Sequence, residues 1–176
     1  NRHITCLPSL IWIHGLEAQK TVLRQRSVAY GRGDCDLEKL VLKARGVTKG
    51  LAKAEALVTR QTLSGWGGID PVTGVVIETG NELEGKKITG KVLVFRGAKG
   101  SSGWSEAFHA SKLENTNPAA VIFSEMTTKI VAGMIAMQIP SVTELEENPF
   151  ECIKNGDMVT VDADNGVVII EKADKS

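Results

Sequence analysis

Two short, unbroken apolar runs constrain this chain more than any other feature. Gly90-Lys-Val-Leu-Val-Phe95 leads into a glycine-rich turn, and Ala119-Ala-Val-Ile-Phe123 repeats the pattern directly after Asn117-Pro118. Runs of this length, without polar alternation and bounded by turn residues, read as buried strands. Further strand signals surround them. Ala54-Glu-Ala-Leu-Val-Thr59 is one, and Val75-Val-Ile-Glu78 follows the turn Asp70-Pro-Val-Thr-Gly74. Met158-Val-Thr-Val-Asp162 and Val167-Val-Ile-Ile-Glu171 flank Ala163-Asp-Asn-Gly166, whose Asn-Gly pair marks a hairpin. Helical signals are fewer. Ser105 to Leu113 places Phe108 four residues after Trp104, and Lys129 to Met137 is stopped by Pro140. Many strands with two or three short helices predict an α+β or β-rich layered domain.

The chain's 176 residues suffice for one domain with a real core. It divides near residue 42. Residues 1–40 hold two of the three histidines and the only tyrosine, Tyr30, and the first Met is Met126. This stretch is expected to be an N-terminal extension: a domain remnant, a disordered segment or an upstream reading-frame artefact. Residues 41–176 form the domain proper. Leu7-Pro-Ser-Leu-Ile-Trp-Ile13 is too short, and wrongly flanked, for a secretion signal.

Lysines plus arginines equal aspartates plus glutamates at 21 each, so the basic excess of a general nucleic-acid binder is missing. No apolar run approaches about 18 residues, so no membrane-spanning helix is expected. Cys6, Cys35 and Cys152 are far apart and odd in number, and they form neither a CxxC pair nor a zinc-spaced cluster. A reducing, cytoplasmic compartment is expected. Any metal the protein needs is expected to be held elsewhere.

Val92 to Trp104 carries the most chemistry. A buried strand runs into Gly97-Ala-Lys-Gly-Ser-Ser-Gly103 and then into a helix start. Glycines allow positive φ and close backbone approach to a ligand. Free N–H groups at a helix N-terminus favour an anion such as a carboxylate. Ser101 or Ser102 would sit at that mouth; the competing role is simple helix capping. Thr62-Leu-Ser-Gly-Trp-Gly-Gly-Ile-Asp70 reads as a tight loop anchored by Trp66, either a ligand wall or a packed turn. Two named motifs fail. Gly100-Ser-Ser-Gly103 is not a nucleophile elbow, and in Gly80-Asn-Glu-Leu-Glu-Gly-Lys86 the next residue is Lys87, not the hydroxyl residue of a phosphate loop. His109 is a candidate base or a surface residue. Cys152 reads as a buried filler, and Glu144-Leu-Glu-Glu147 as a solvated edge.

Several segments, in order, resemble the small swivelling part of aconitase X. They are Gly50-Leu-Ala-Lys-Ala-Glu-Ala-Leu-Val58, Ser64-Gly-Trp-Gly-Gly-Ile-Asp-Pro-Val-Thr-Gly74, Gly85 through Gly90-Lys-Val-Leu-Val, and Gly97-Ala-Lys-Gly-Ser-Ser-Gly-Trp-Ser105. Pro118-Ala-Ala, Thr127-Thr-Lys129, Ile139-Pro140 and Gly156-Asp157 continue the likeness, which spans about Ala44 to Glu171. The resemblance implies a layered β/β/α swivelling domain like the mobile domain of aconitase. It implies a small subunit working against a large aconitase X catalytic subunit, which holds an iron–sulfur cluster or a mononuclear metal. Ser101 is then the catalytic base, with Ser102, Gly100, Gly103, Ser64, Trp66 and Gly67 around the substrate. Gly103 stands where aconitase has an arginine, so carboxylate binding must differ. The implied reaction is dehydration of a small hydroxy acid. The run from Gly97 to Ser105, with Met126-Thr-Thr-Lys129, resembles the type acting on cis-3-hydroxy-L-proline; the alternative is a phosphorylated mevalonate. Rivals from other classes are a non-catalytic partner-binding or regulatory module and a stand-alone carboxylate-binding domain.

Overall fold

The computed structural model describes residues 39–173. In chain order they form β1 (Lys39–Lys43), β2 (Arg45–Thr48), β3 (Leu51–Val58), β4 (Leu63–Ser64), β5 (Ile69–Asp70), β6 (Val75–Val76), β7 (Val92–Phe95), β8 (Ala98–Lys99), α1 (Gly103–Leu113), β9 (Ala120–Phe123), α2 (Thr128–Met137), β10 (Ser141–Thr143), α3 (Pro149–Cys152), β11 (Met158–Asp162) and β12 (Val167–Glu171). β1 begins two residues inside the expected extension; residues 1–38 lie outside the described residues.

The two apolar runs are neighbouring parallel strands, β7 and β9, and every residue in both is buried. Successive side chains of a strand point to opposite faces. Val92, Val94, Ala120 and Ile122 accordingly enter one core, and Leu93, Phe95, Val121 and Phe123 the other. A strand buried on both faces needs a layer on each side. On one side lie α1 and α2, through Trp104, Phe108, Ile130, Met134 and Met137. On the other lie β1, β12 and β11, through Leu42, Val168, Ile170, Val159 and Val161. The expected β/β/α layering is thus what the described residues form.

The sheet order is β1-β12-β11-β3-β7-β9-β10-β2. β3, β7, β9 and β10 run parallel, while β1, β12, β11 and β3 pair antiparallel. Two strands cross between the layers. Leu51 to Glu55 of β3 pair with β11, while Ala56 to Val58 pair with β7. β1 and β2 lie at opposite ends of the sheet order, yet only Ala44 separates them in the chain. The crossing is tight: a Cβ on Gly46 would come within 2.2 Å of the Ala163 carbonyl oxygen.

The Val75 to Glu78 expectation needs correction. Only Val75–Val76 is strand, because the N–H groups of Ile77 and Glu78 turn to the Gly68 carbonyl at 2.9 and 3.3 Å. The hairpin at Ala163 to Gly166 is present between β11 and β12. Helix α1 starts at Gly103, two residues early, and α2 ends at Gln138 in the left-handed conformation (φ 50°), two residues before Pro140.

Candidate active site

The connections β7–α1–β9 and β9–α2–β10 place both helix N-termini beyond the carboxyl ends of the parallel strands, the edge where open α/β sheets bind ligands. After β7 the chain makes the short strand β8, which pairs with β4. It then turns at Gly100 (φ 93°) and delivers Ser101 and Ser102 to the surface. The parallel turn after β9 is tied to it. Glu125 receives the Arg96 guanidinium at 2.6 Å, its N–H donates to the Arg96 carbonyl at 2.7 Å, and Lys129 Nζ donates to the Gly100 carbonyl.

Neither serine side chain caps the helix. Ser102 holds the N-cap position with φ −60° and ψ −23°, and its side chain makes no capping bond. The hydroxyl of Ser101 is exposed and, among the described residues, has no hydrogen-bond partner. The N–H groups of Ser102 and Gly103 likewise meet no protein acceptor among the described residues. Between the starts of α1 and α2 lies a groove of 410 Å³, lined by Ser102, Ser105, Thr127, Thr128, Lys129 and Ala132. Lys129 forms no salt bridge among the described residues. Two amide-rich helix ends and an ammonium with no carboxylate partner among the described residues make this mouth favourable to negative charge.

The Ser64 to Asp70 loop packs against the start of α1 outside that groove, and Trp66 does not anchor it. Trp66 is 56% exposed at the loop tip, whereas Trp104 is buried and donates its Nε1–H to the Leu63 carbonyl at 2.9 Å. The physical cause is room: Gly65 sits so close to the α1 backbone that a Cβ would be 2.5 Å from Trp104 Cα, and Gly67 (φ 79°) then turns Trp66 outward. Ser64 is committed to structure, its N–H and hydroxyl both donating to Glu78 at 2.9 Å. Burial works against charge on Glu78, but the Ser64 N–H, Lys99 and the Ser64 hydroxyl outweigh it and hold the carboxyl below its usual range. Glu78 is thus held by Ser64 and Lys99 beneath the loop. Gly100, Gly103, Ser101, Ser102 and Trp66 come together; Ser64 lies beneath them.

The remaining candidates fall elsewhere. His109 lies on the exposed face of α1, beyond its first turn. Cys152 belongs to the core between the sheets; burial and the neighbouring Glu147 push its thiol up to about 11. Among the described residues no group of three or more His, Cys, Asp or Glu could hold a metal ion. The groove's own donors are hydroxyls, amides and one ammonium, which do not fit an iron–sulfur cluster or a metal ion. No helix of the described residues is long and apolar enough to cross a membrane.

Comparison with known proteins fits this geometry. Residues 41–170 match the family model described as the aconitase X swivel domain. The chain belongs to that family. A phosphomevalonate dehydratase small subunit from Methanosarcina acetivorans is 39% identical over 131 residues, covering 74% of this chain and 91% of the relative. One of the same name from Methanocella arvoryzae is 41% identical, covering 72% and 96%. Among solved structures, holo aconitase X from Thermococcus kodakaraensis superposes with a TM-score of 0.71 at 38% identity, covering 76% of this chain and 99% of that one. The structure puts Ser101 just before the start of α1 and brings Thr127, Thr128 and Lys129 beside that helix start, a grouping the sequence did not announce directly. The signal was the second strand–turn–helix junction after Phe123, which a parallel β-α-β unit brings next to the first.

Proposed function

We propose that this chain is the small subunit of a phosphomevalonate dehydratase, and that Ser101 is its catalytic base. As a member of the aconitase X family it is a hydro-lyase subunit. The observation that carries the site reading is the Ser101 hydroxyl: exposed, free of capping, and placed at the amide-lined start of α1. The relatives' name supports phosphomevalonate over cis-3-hydroxy-L-proline, the substrate suggested by the turn sequence alone.

Dehydration beside a carboxylate removes a weakly acidic C–H proton; the bonding pair forms the double bond as the hydroxyl leaves. As an alkoxide, Ser101 accepts that proton. The free amides of Ser102 and Gly103, the α1 dipole and the Lys129 ammonium favour the alkoxide and the substrate's negative charge. The family implies a metal or cluster that assists hydroxyl departure, and a large partner subunit holds it. Docking of that partner over the groove excludes water from the base.

The experiment is turnover by the complex reconstituted with the large subunit. Phosphomevalonate is expected to be dehydrated, and cis-3-hydroxy-L-proline not. Ser101→Ala is expected to lower kcat by about 10²-fold or more. Activity surviving within about tenfold rejects Ser101 as the base.

A further inference from the structure

Trp66 and the missing side chain of Gly103 belong to one feature. A Cβ on Gly103 would lie 3.1 Å from Trp66 Cδ1, 3.4 Å from Trp66 Nε1 and 3.5 Å from Ser101 Oγ. The N–H-bearing edge of the indole therefore packs over Gly103, beside the Ser101 hydroxyl. Gly103 does not have a positive φ, so the backbone does not demand glycine there. In a first helical turn alanine is intrinsically better. A side chain there would press on the indole, which would have to shift by a few tenths of an ångström. The loop carrying Trp66 is fixed from below by Ser64 on Glu78 and by Gly65 against Trp104. Its Nε1–H donates to none of the described residues. An indole pairs an apolar face with one polar donor, so a small polar ligand can use both.

Resting on the dehydratase reading, we infer that Trp66 is a substrate-contacting specificity residue. Its Nε1–H donates to the carboxylate of the hydroxy acid, and Gly103 is the position that admits it. The carboxylate is assigned because it is bonded to the carbon that loses its proton. Whatever Ser101 deprotonates brings that group, rather than a distal phosphate, against the neighbouring indole edge.

The test uses the reconstituted two-subunit enzyme with phosphomevalonate. Trp66→Phe keeps an aromatic side chain and removes the five-membered ring that carries the N–H. KM is expected to rise about tenfold with kcat within about threefold, the pattern of a lost ground-state hydrogen bond. Gly103→Ala is expected to lower kcat/KM about tenfold in the wild type and less than about twofold in a Trp66→Ala background, because contacting residues couple. Unfolding midpoints of all variants report that the fold is kept. An unchanged KM in Trp66→Phe, or equal cost of Gly103→Ala in both backgrounds, overturns the inference while leaving the dehydratase reading intact. If the wild-type complex turns over only cis-3-hydroxy-L-proline, the same measurements are made with that carboxylate. If it turns over neither, the dehydratase reading fails and this inference falls with it.

Discussion

Ser102 occupies the N-cap of α1 without the extended backbone that lets a capping side chain fold back onto the helix. Ser102→Ala is therefore expected to change stability by less than about 0.5 kcal/mol, against about 1 kcal/mol for a capping serine. Chemical unfolding checks this. A drop of the full capping size would show that the hydroxyl serves the helix. Asp157 behaves oppositely. Its buried carboxyl resists charge through burial, but the Lys154 N–H, Lys172 and the Ala173 N–H prevail and keep it below the usual range. A carboxyl depressed in the folded state stabilises above its unfolded value and loses that contribution as pH falls through the folded one. The wild-type melting temperature is thus expected to decline as pH drops below about 4. Asp157→Asn should be weaker at pH 7 by about 2 kcal/mol and less sensitive to acid, measured by melting between pH 7 and 2.

Among the elements, the crossing from β1 to β2 tolerates least change. Gly46→Val would drive a side chain into the Ala163 carbonyl, fixed in the β11–β12 turn, and is expected to cost about 3 kcal/mol or more in denaturant unfolding. A cost below about 1 kcal/mol would mean the crossing relaxes freely. Elements were legible where local chemistry decides them. β7 and β9 follow from unbroken apolar runs, and β11 and β12 from alternation around Asn165-Gly166. β2 and β10 escaped because Arg45-Gly-Val-Thr48 and Ser141-Val-Thr143 are too short and mixed to show a period, and they exist through pairing with each other and with β9. The site divided in the same way. Glycines announced the Ser101 turn. Which tryptophan is buried was not readable, since Trp66 and Trp104 both follow glycine. Gly65 and Gly133 settle it by closing on Trp104 from two sides.

For the molecule as a whole, order radiates from β7 and β9. Amides of Val92–Phe95 and Ala120–Phe123, covered on both faces, are expected to exchange with solvent slowest, and those of the β5–β6 loop fastest. Hydrogen-exchange mass spectrometry reads this directly; uniform protection would contradict the layered core. The β3 strand and the β1–β2 crossing have one further consequence. The antiparallel and parallel halves of the sheet share these two continuous stretches of backbone, so separating them means breaking the main-chain pairing of β3 as well as side-chain packing. The fold is sewn along two seams, and β3 hands the link on to β7, the strand that leads to the Ser101 turn, through main-chain hydrogen bonds rather than through side chains alone. Such a body is expected to move as one piece, holding the Ser101 hydroxyl in a fixed place relative to the core.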